Sequence, residues 1–288
     1  MNELAMHHPT GHEAQPLPAS LRPVPPGLNH VMGIAAETWK GLQLIWTFKF
    51  NVVSEVLGLF MVFLGINFFV GNGAFNSEDL AFTLVGFCIW TYSIFAISNM
   101  SFALREEQQQ GTIEQMFMGS TPFAALLFGR TLSNFVWTTA VILLGGGTIT
   151  LAFGLDLGLN WRLIPVLGLT MFGLYGLGFV IAGLTILFKN ILSFANLIQN
   201  ILLFLNGAIV PVTVFPSWMT TTTRVLPSTL SIEVARLVTL DDLTLAAVWA
   251  DSLLPLLVLH SLIWFVLGLS LYLVAERIAR RKGLLGQF

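Results

Sequence analysis

Charge is scarce in this chain. Its 288 residues include 13 Lys and Arg and 15 Asp and Glu, 10% in all, where an ordinary soluble domain carries roughly 25%. So little polar matter cannot cover a water-exposed globule, and a mean hydropathy of +0.81 places the chain among integral membrane proteins. A net charge of −2 supplies none of the basic excess that a nucleic-acid partner requires. Cysteine is nearly absent. Cys88 alone permits neither an internal disulfide nor a cysteine metal site, and it reads as a small hydrophobe in a helix. Catalytic patterns are missing too. There is no G-x-x-x-x-G-K-[ST] phosphate loop, and the Gly145–Gly147 run lies inside an apolar stretch without the lysine, so ATP cannot be held here in that way. The absence of H-E-x-x-H and G-x-S-x-G argues against an intramembrane metalloprotease or serine hydrolase. Away from span ends, His260 is nearly the sole ionisable group and no inverted repeat is visible. Both facts speak against a transporter driven by an ion gradient.

What is present is a series of long apolar runs. A helix needs roughly 20 apolar residues to cross a bilayer, and a backbone in lipid must bond internally. Six spans are expected: Val52–Val70, Leu80–Ala103, Pro122–Phe153, Leu163–Phe188, Ile191–Val210 and Ser252–Ala275. With the N-terminus inside, ten cations are cytoplasmic: Arg22, Lys40, Lys49, Arg105, Arg130, Lys189, Arg277, Arg280, Arg281 and Lys282. Only Arg162, Arg224 and Arg236 then face out. The excess of inside cations sets an N-in, C-in topology. Residues 1–29, rich in Pro, His and Gly without apolar period, read as a disordered cytoplasmic tail. His7, His8 and His12 are scattered tail residues rather than a metal site. The segment "AETWKGLQLIWTFKF", with Trp39, Leu42, Trp46 and Phe50 at helical spacing, predicts a helix lying in the cytoplasmic interface. Between the last two spans, Pro211, Pro216 and Pro227 interrupt an apolar segment. Short helices dipping into the outer leaflet would satisfy its backbone.

One polar island stands out, "LREEQQQGTIEQMFMGSTP" from Leu104 to Pro122. As a helix it places Glu107, Gln110 and Glu114 on one face beside Ile113, Met116 and Phe117. Thr121 and Pro122 then read as N-cap and first turn of the third span. By its residues alone the island is either a docking knob for another protein or a plain solvated connector.

The pattern Glu107-x-x-x-Gly111-Thr112-x-Glu114-x-Met116, followed by Ser120-Thr121-Pro122, resembles that of ABC-2 type permeases, the membrane subunits of ABC exporters. A second element, with Gly207, Pro211, Pro216, Trp218 and Pro227, resembles the family's G-x-x-x-P-x-x-x-x-P-x-W segment after the fifth span. The resemblance runs from about residue 35 to 282 and makes residues 30–288 one six-helix transmembrane domain. It implies that the island is a coupling helix docked on a separate ATP-binding subunit, through Arg105, Glu106, Glu107, Gly111, Thr112, Glu114, Met116 and Pro122. ATP and magnesium would sit on that partner, and this chain would itself be neither enzyme nor cofactor carrier. It also implies pairing with a second permease copy, an outer gate at the second element, and a pathway flanked by spans one and five. Candidate path residues are Glu55, Phe63, Asn67, Asn196, Gln199 and Asn200. Polar residues in a span either line a path or bond neighbouring helices. The expected cargo is a hydrophobic small molecule, drug or lipid leaving across the plasma (inner) membrane. A lipid-linked polysaccharide is the alternative, disfavoured by only three tyrosines for sugar stacking.

Overall fold

A computed structural model describes residues 49–110, 122–158, 160–188 and 191–282, with 32, 34–36, 38–40, 42 and 43 ahead of them. Its helices are α1 (Lys49–Val70), α2 (Ser77–Gln110), α3 (Phe123–Phe153), α4 (Leu163–Leu187), α5 (Leu192–Leu205), α6 (Ser217–Thr223), α7 (Thr229–Thr239), α8 (Leu245–Ala250) and α9 (Leu253–Lys282). A 3-10 turn, Val212–Val214, follows α5. No strand occurs among the described residues, and the described residues between 32 and 43 are helical. Residues 1–29 and 111–121 lie outside the described residues.

Among the described residues, five helices, α1 to α4 and α9, are long and apolar enough to cross a membrane. The fifth expected span differs. Ile191–Val210 yields a helix of only 14 residues, about 21 Å at 1.5 Å per residue against about 30 Å of hydrocarbon. The chain leaves the helix at Asn206 because Gly207 takes a left-handed φ of +83°, and Pro211, lacking an N–H, prevents resumption. Two other helices overrun their expected ends. The second continues from Ala103 to Gln110 and the last from Ala275 to Lys282. Past Ala275 the α9 helix carries an i,i+4 ion pair, Arg280 Nη2 to Glu276 Oε1 at 2.7 Å, the kind of pair that supports a helix in water.

The core lies around α2 and α4. Within their apolar windows 78% and 56% of residues are buried, against 11% for α1 and 22% for α3 and α9. Phe87, Ile97, Val166, Ile181 and Leu257 belong to the main apolar cluster. The α4–α9 crossing is tight because glycine meets glycine. A Cβ on Gly268 would overlap the Gly176 backbone, and one on Gly176 would lie 2.6 Å from Phe265 N. Small residues permit this approach where no hydrophobic effect drives helices together. Along α4, Gly176, Gly178 and Gly183 likewise stand against neighbouring helices, while Gly168 meets nothing within 4 Å.

The helix ends define two poles. Lys49, Arg105 and Arg277–Lys282 lie at one, called here the basic end. Helices α6 to α8 gather at the opposite end. Among them α7 is an interior element, with Ile232, Val234, Ala235 and Val238 all buried. The segment ahead of α1 docks on α3 through Thr38 Oγ1, which donates to the Gly129 carbonyl at 3.0 Å, while Trp39 stays 64% exposed.

Candidate functional site

At the basic end, α2 and α3 run directly into the polar island. The 34 residues of α2 make a rod of about 51 Å, longer than the hydrocarbon by about 20 Å. Its projecting part is anchored by Leu104, fully buried, and Arg105 is exposed. Glu106 and Glu107 lie on the final helical turns. Gly111, Thr112, Glu114 and Met116 fall outside the described residues. The start of α3 differs from expectation by one residue. Pro122 itself is the N-cap, with φ −55° and ψ 135°, and its carbonyl accepts from Ala125 N at 2.9 Å. Proline before the first turn loses nothing by lacking an N–H and fixes the angle of entry.

The candidate path residues separate into two groups. Glu55, Phe63, Asn67 and Gln199 make contacts within the chain. Glu55 Oε2 accepts from the Trp137 indole N–H at 2.9 Å, joining α1 to α3. Phe63 is fully buried and edge-on to Phe87, centroids 5.5 Å apart. Asn67, also buried, donates back to the Phe63 carbonyl at 2.9 Å. Gln199 Nε2 donates to Ser98 Oγ at 2.9 Å, and its backbone carbonyl accepts from Trp90 Nε1 at 3.0 Å. Asn196 and Asn200 are different. With Ser193 they form an exposed polar stripe on α5, flanked by exposed Phe194, Leu197 and Ile201. A polar stripe open to lipid is costly unless something covers it.

The opposite end holds a heavily bonded cation, and sequence reading missed its role. Arg236 was expected on the outer side of the membrane, and it lies at the end opposite the basic one, beneath the elbow after α5. Its Nη1 donates to Gly207 O at 2.8 Å, Nη2 to Ala208 O at 2.9 Å and Phe82 O at 3.0 Å, and Nε to Phe82 O at 3.1 Å. The guanidinium carbon stands 3.4 Å from the Phe82 ring centroid. The planar five-donor fork of arginine suits three carbonyls and one ring at once. Burial draws its pKa down to about 9, so it remains a cation at neutral pH. Gly86 makes room, since a Cβ there would strike the Ala208 carbonyl and lie 2.6 Å from Arg236 Nη2. Asn206, fully buried, completes the elbow. Its Oδ1 accepts from Ala208 N at 2.9 Å and its Nδ2 donates to Ser228 Oγ at 3.2 Å. The proline spacing marked the elbow in the sequence. The only sign of the staple was one arginine inside "TLSIEVARLVTL".

Of the expected outer-element residues, Gly207 is the elbow, Pro211 is half-buried and Pro227 is buried. Pro216 caps α6, and Trp218 is 71% exposed. Two cavities open here and share Phe82 and Pro211. One of about 500 Å³ includes Asn67, Glu78 and Asp79. The other, of about 260 Å³, includes Arg224, Glu233 and Arg236. His260 places Nε2 3.0 Å from the Val225 carbonyl, which also accepts from Trp264 Nε1 at 2.8 Å. No cluster of three or more metal-binding side chains occurs among the described residues.

Residues 33–240 match the family model described as ABC-2 type transporter. The match takes in α1 to α7, the polar island and the Arg236 staple, and ends before α9. No curated protein matches the chain.

Proposed function

Because the chain belongs to the ABC-2 type transporter family, and is thus a multi-pass membrane permease component that works with an ATP-binding subunit, we propose that it exports a hydrophobic small molecule, drug or lipid. Residues 105–122 are the coupling helix in this reading. The basic end is cytoplasmic, in keeping with the excess of inside cations. The family match carries the reading, and the continuity of α2 supports its mechanism.

ATP draws two partner subunits together, each gripping one island through Glu107 and Glu114. The islands move, and α2 and α3 move with them. From Glu107 to Phe82 is about 38 Å along α2 at 1.5 Å per residue. Phe82 supplies the carbonyl and ring that Arg236 holds against Gly207 and Ala208. A displacement at the cytoplasmic end therefore reaches the outer elbow through one unbroken helix. This is the contiguous element that coupling between distant sites needs. Two copies pair with their α5 stripes facing, so that Ser193, Asn196 and Asn200 are covered and border the pathway.

Co-purification tests the coupling assignment. The ATP-binding subunit should be retained by the wild-type chain and lost from Glu114→Arg, which folds normally. Cargo-stimulated ATP hydrolysis should vanish with it. Undiminished stimulation in Glu114→Arg would remove the island from the mechanism.

A further inference from the structure

A separate cavity of about 150 Å³ lies within one copy, between α2, α3 and α4, with α7 closing its outer end. None of its lining comes from α1 or α5, so it is distinct from the pathway proposed above. The walls are apolar side chains such as Leu84, Ile89, Ile142 and Leu167. Leu143, 64% exposed, marks a mouth that faces the lipid.

Four hydroxyl-bearing residues line this space, Tyr92, Thr139, Thr150 and Thr239. Tyr92 and Thr139 bond one another at 2.8 Å, and Thr150 Oγ1 donates to the Gly146 carbonyl at 2.8 Å. Thr239 is the exception. It is 3% exposed, and its Oγ1 is buried without a hydrogen-bond partner. A buried hydroxyl left unpaired is costly, and native structures usually account for each one. On the opposite wall stand Gly146 and Gly147. A Cβ on Gly147 would meet nothing within 4 Å, and on Gly146 nothing nearer than Cys88 Sγ at 3.7 Å. Packing does not require these glycines, unlike Gly176 and Gly268, yet each costs helix stability relative to alanine. Their effect is to hold the wall back.

From Thr139 to Thr150 the lining follows α3 for about 16 Å, so the space is long and slim. We propose that it binds a slim apolar molecule carrying one hydrogen-bonding head group, which enters from the bilayer and places its head at Thr239. An apolar cavity of this size is ample for a benzene-sized body. The inference stands independently of the transport reading, because it needs no partner subunit and no second copy.

The test uses the full chain in lipid nanodiscs and a photoactivatable octanol. Labelling should fall on residues 84–92 and 139–150 and be competed by unlabelled 1-octanol. Gly147→Leu, which fills open space, should reduce competable labelling at least tenfold. Thr239→Val keeps the shape and removes the hydroxyl. It should weaken octanol competition about fivefold, the value of one hydrogen bond, and leave competition by octane unchanged. Should Gly147→Leu fail to fold, the octanol-to-octane comparison in Thr239→Val decides. Labelling that octanol does not compete, or competition unchanged in Thr239→Val, would overturn the proposal.

Discussion

Arg236→Met is the most informative single change at the outer end. Methionine matches much of the stem but removes every donor. The Phe82 carbonyl sits in a helix, where a backbone N–H also reaches it, so its loss matters least. Gly207 and Ala208 carbonyls are outside any helix, and Arg236 is their donor at 2.8 and 2.9 Å. Each buried acceptor left unpaired costs about 1–3 kcal/mol. Two such acceptors give about 2–6 kcal/mol, partly offset because a buried cation no longer has to be desolvated. A net loss of about 3 kcal/mol follows, or a fall in Tm of roughly 5–10 °C by the scaling for domains of this size. Arg236→Lys should fall between, since one ammonium cannot serve Phe82 and the elbow together. Thermal unfolding of the purified protein measures the stability. Limited proteolysis between residues 207 and 223 reports whether the elbow has come loose. A Tm within a degree of wild type and an unchanged cleavage pattern in Arg236→Met would refute the staple.

Gly268→Leu should prevent α4 and α9 from reaching their crossing, because even a Cβ overlaps the Gly176 backbone. A loss of about 3 kcal/mol or more would appear as poor recovery of monodisperse protein. Gly168→Ala, with nothing within 4 Å, should by contrast be neutral or slightly stabilising in the same unfolding assay. Glu55→Ala should leave the Trp137 indole without its acceptor and loosen α1 from α3 by about 1–2 kcal/mol, whereas Glu55→Gln should retain most of the contact; indole fluorescence and Tm separate the two. Asn200→Cys should form an oxidative cross-link between copies in membranes, while wild type should not, as its only cysteine, Cys88, lies within the bundle.

Helix existence was legible because spanning a bilayer leaves the backbone almost no alternative. Spans one to four and the last were visible as long apolar runs with few charges, and each forms a long helix. The fifth run misled because hydropathy does not see geometry. Ile191–Val210 carries no charge, but a left-handed Gly207 and Pro211 end the helix early. Helix ends in water were also underestimated, since α2 and α9 continue on polar residues that a hydropathy argument discounts. Within the site, Gly207 and the prolines could be identified because their backbone roles are written in residue type. Arg236 could not, because three carbonyls from two distant segments carry no side-chain signature in sequence. Gln199 shows the same limit. Helical spacing set it beside Asn196 and Asn200, but only packing reveals that it bonds Ser98 while they remain exposed.

Transport in reconstituted vesicles tests the central claim most directly. The chain is placed in liposomes with and without its ATP-binding subunit, and the movement of a hydrophobic fluorescent compound is followed with ATP present and with ion gradients dissipated. Movement should require both the partner and hydrolysable ATP, and should persist without any proton or sodium gradient. Movement by the chain alone, or movement that follows an ion gradient and ignores ATP, would contradict the account.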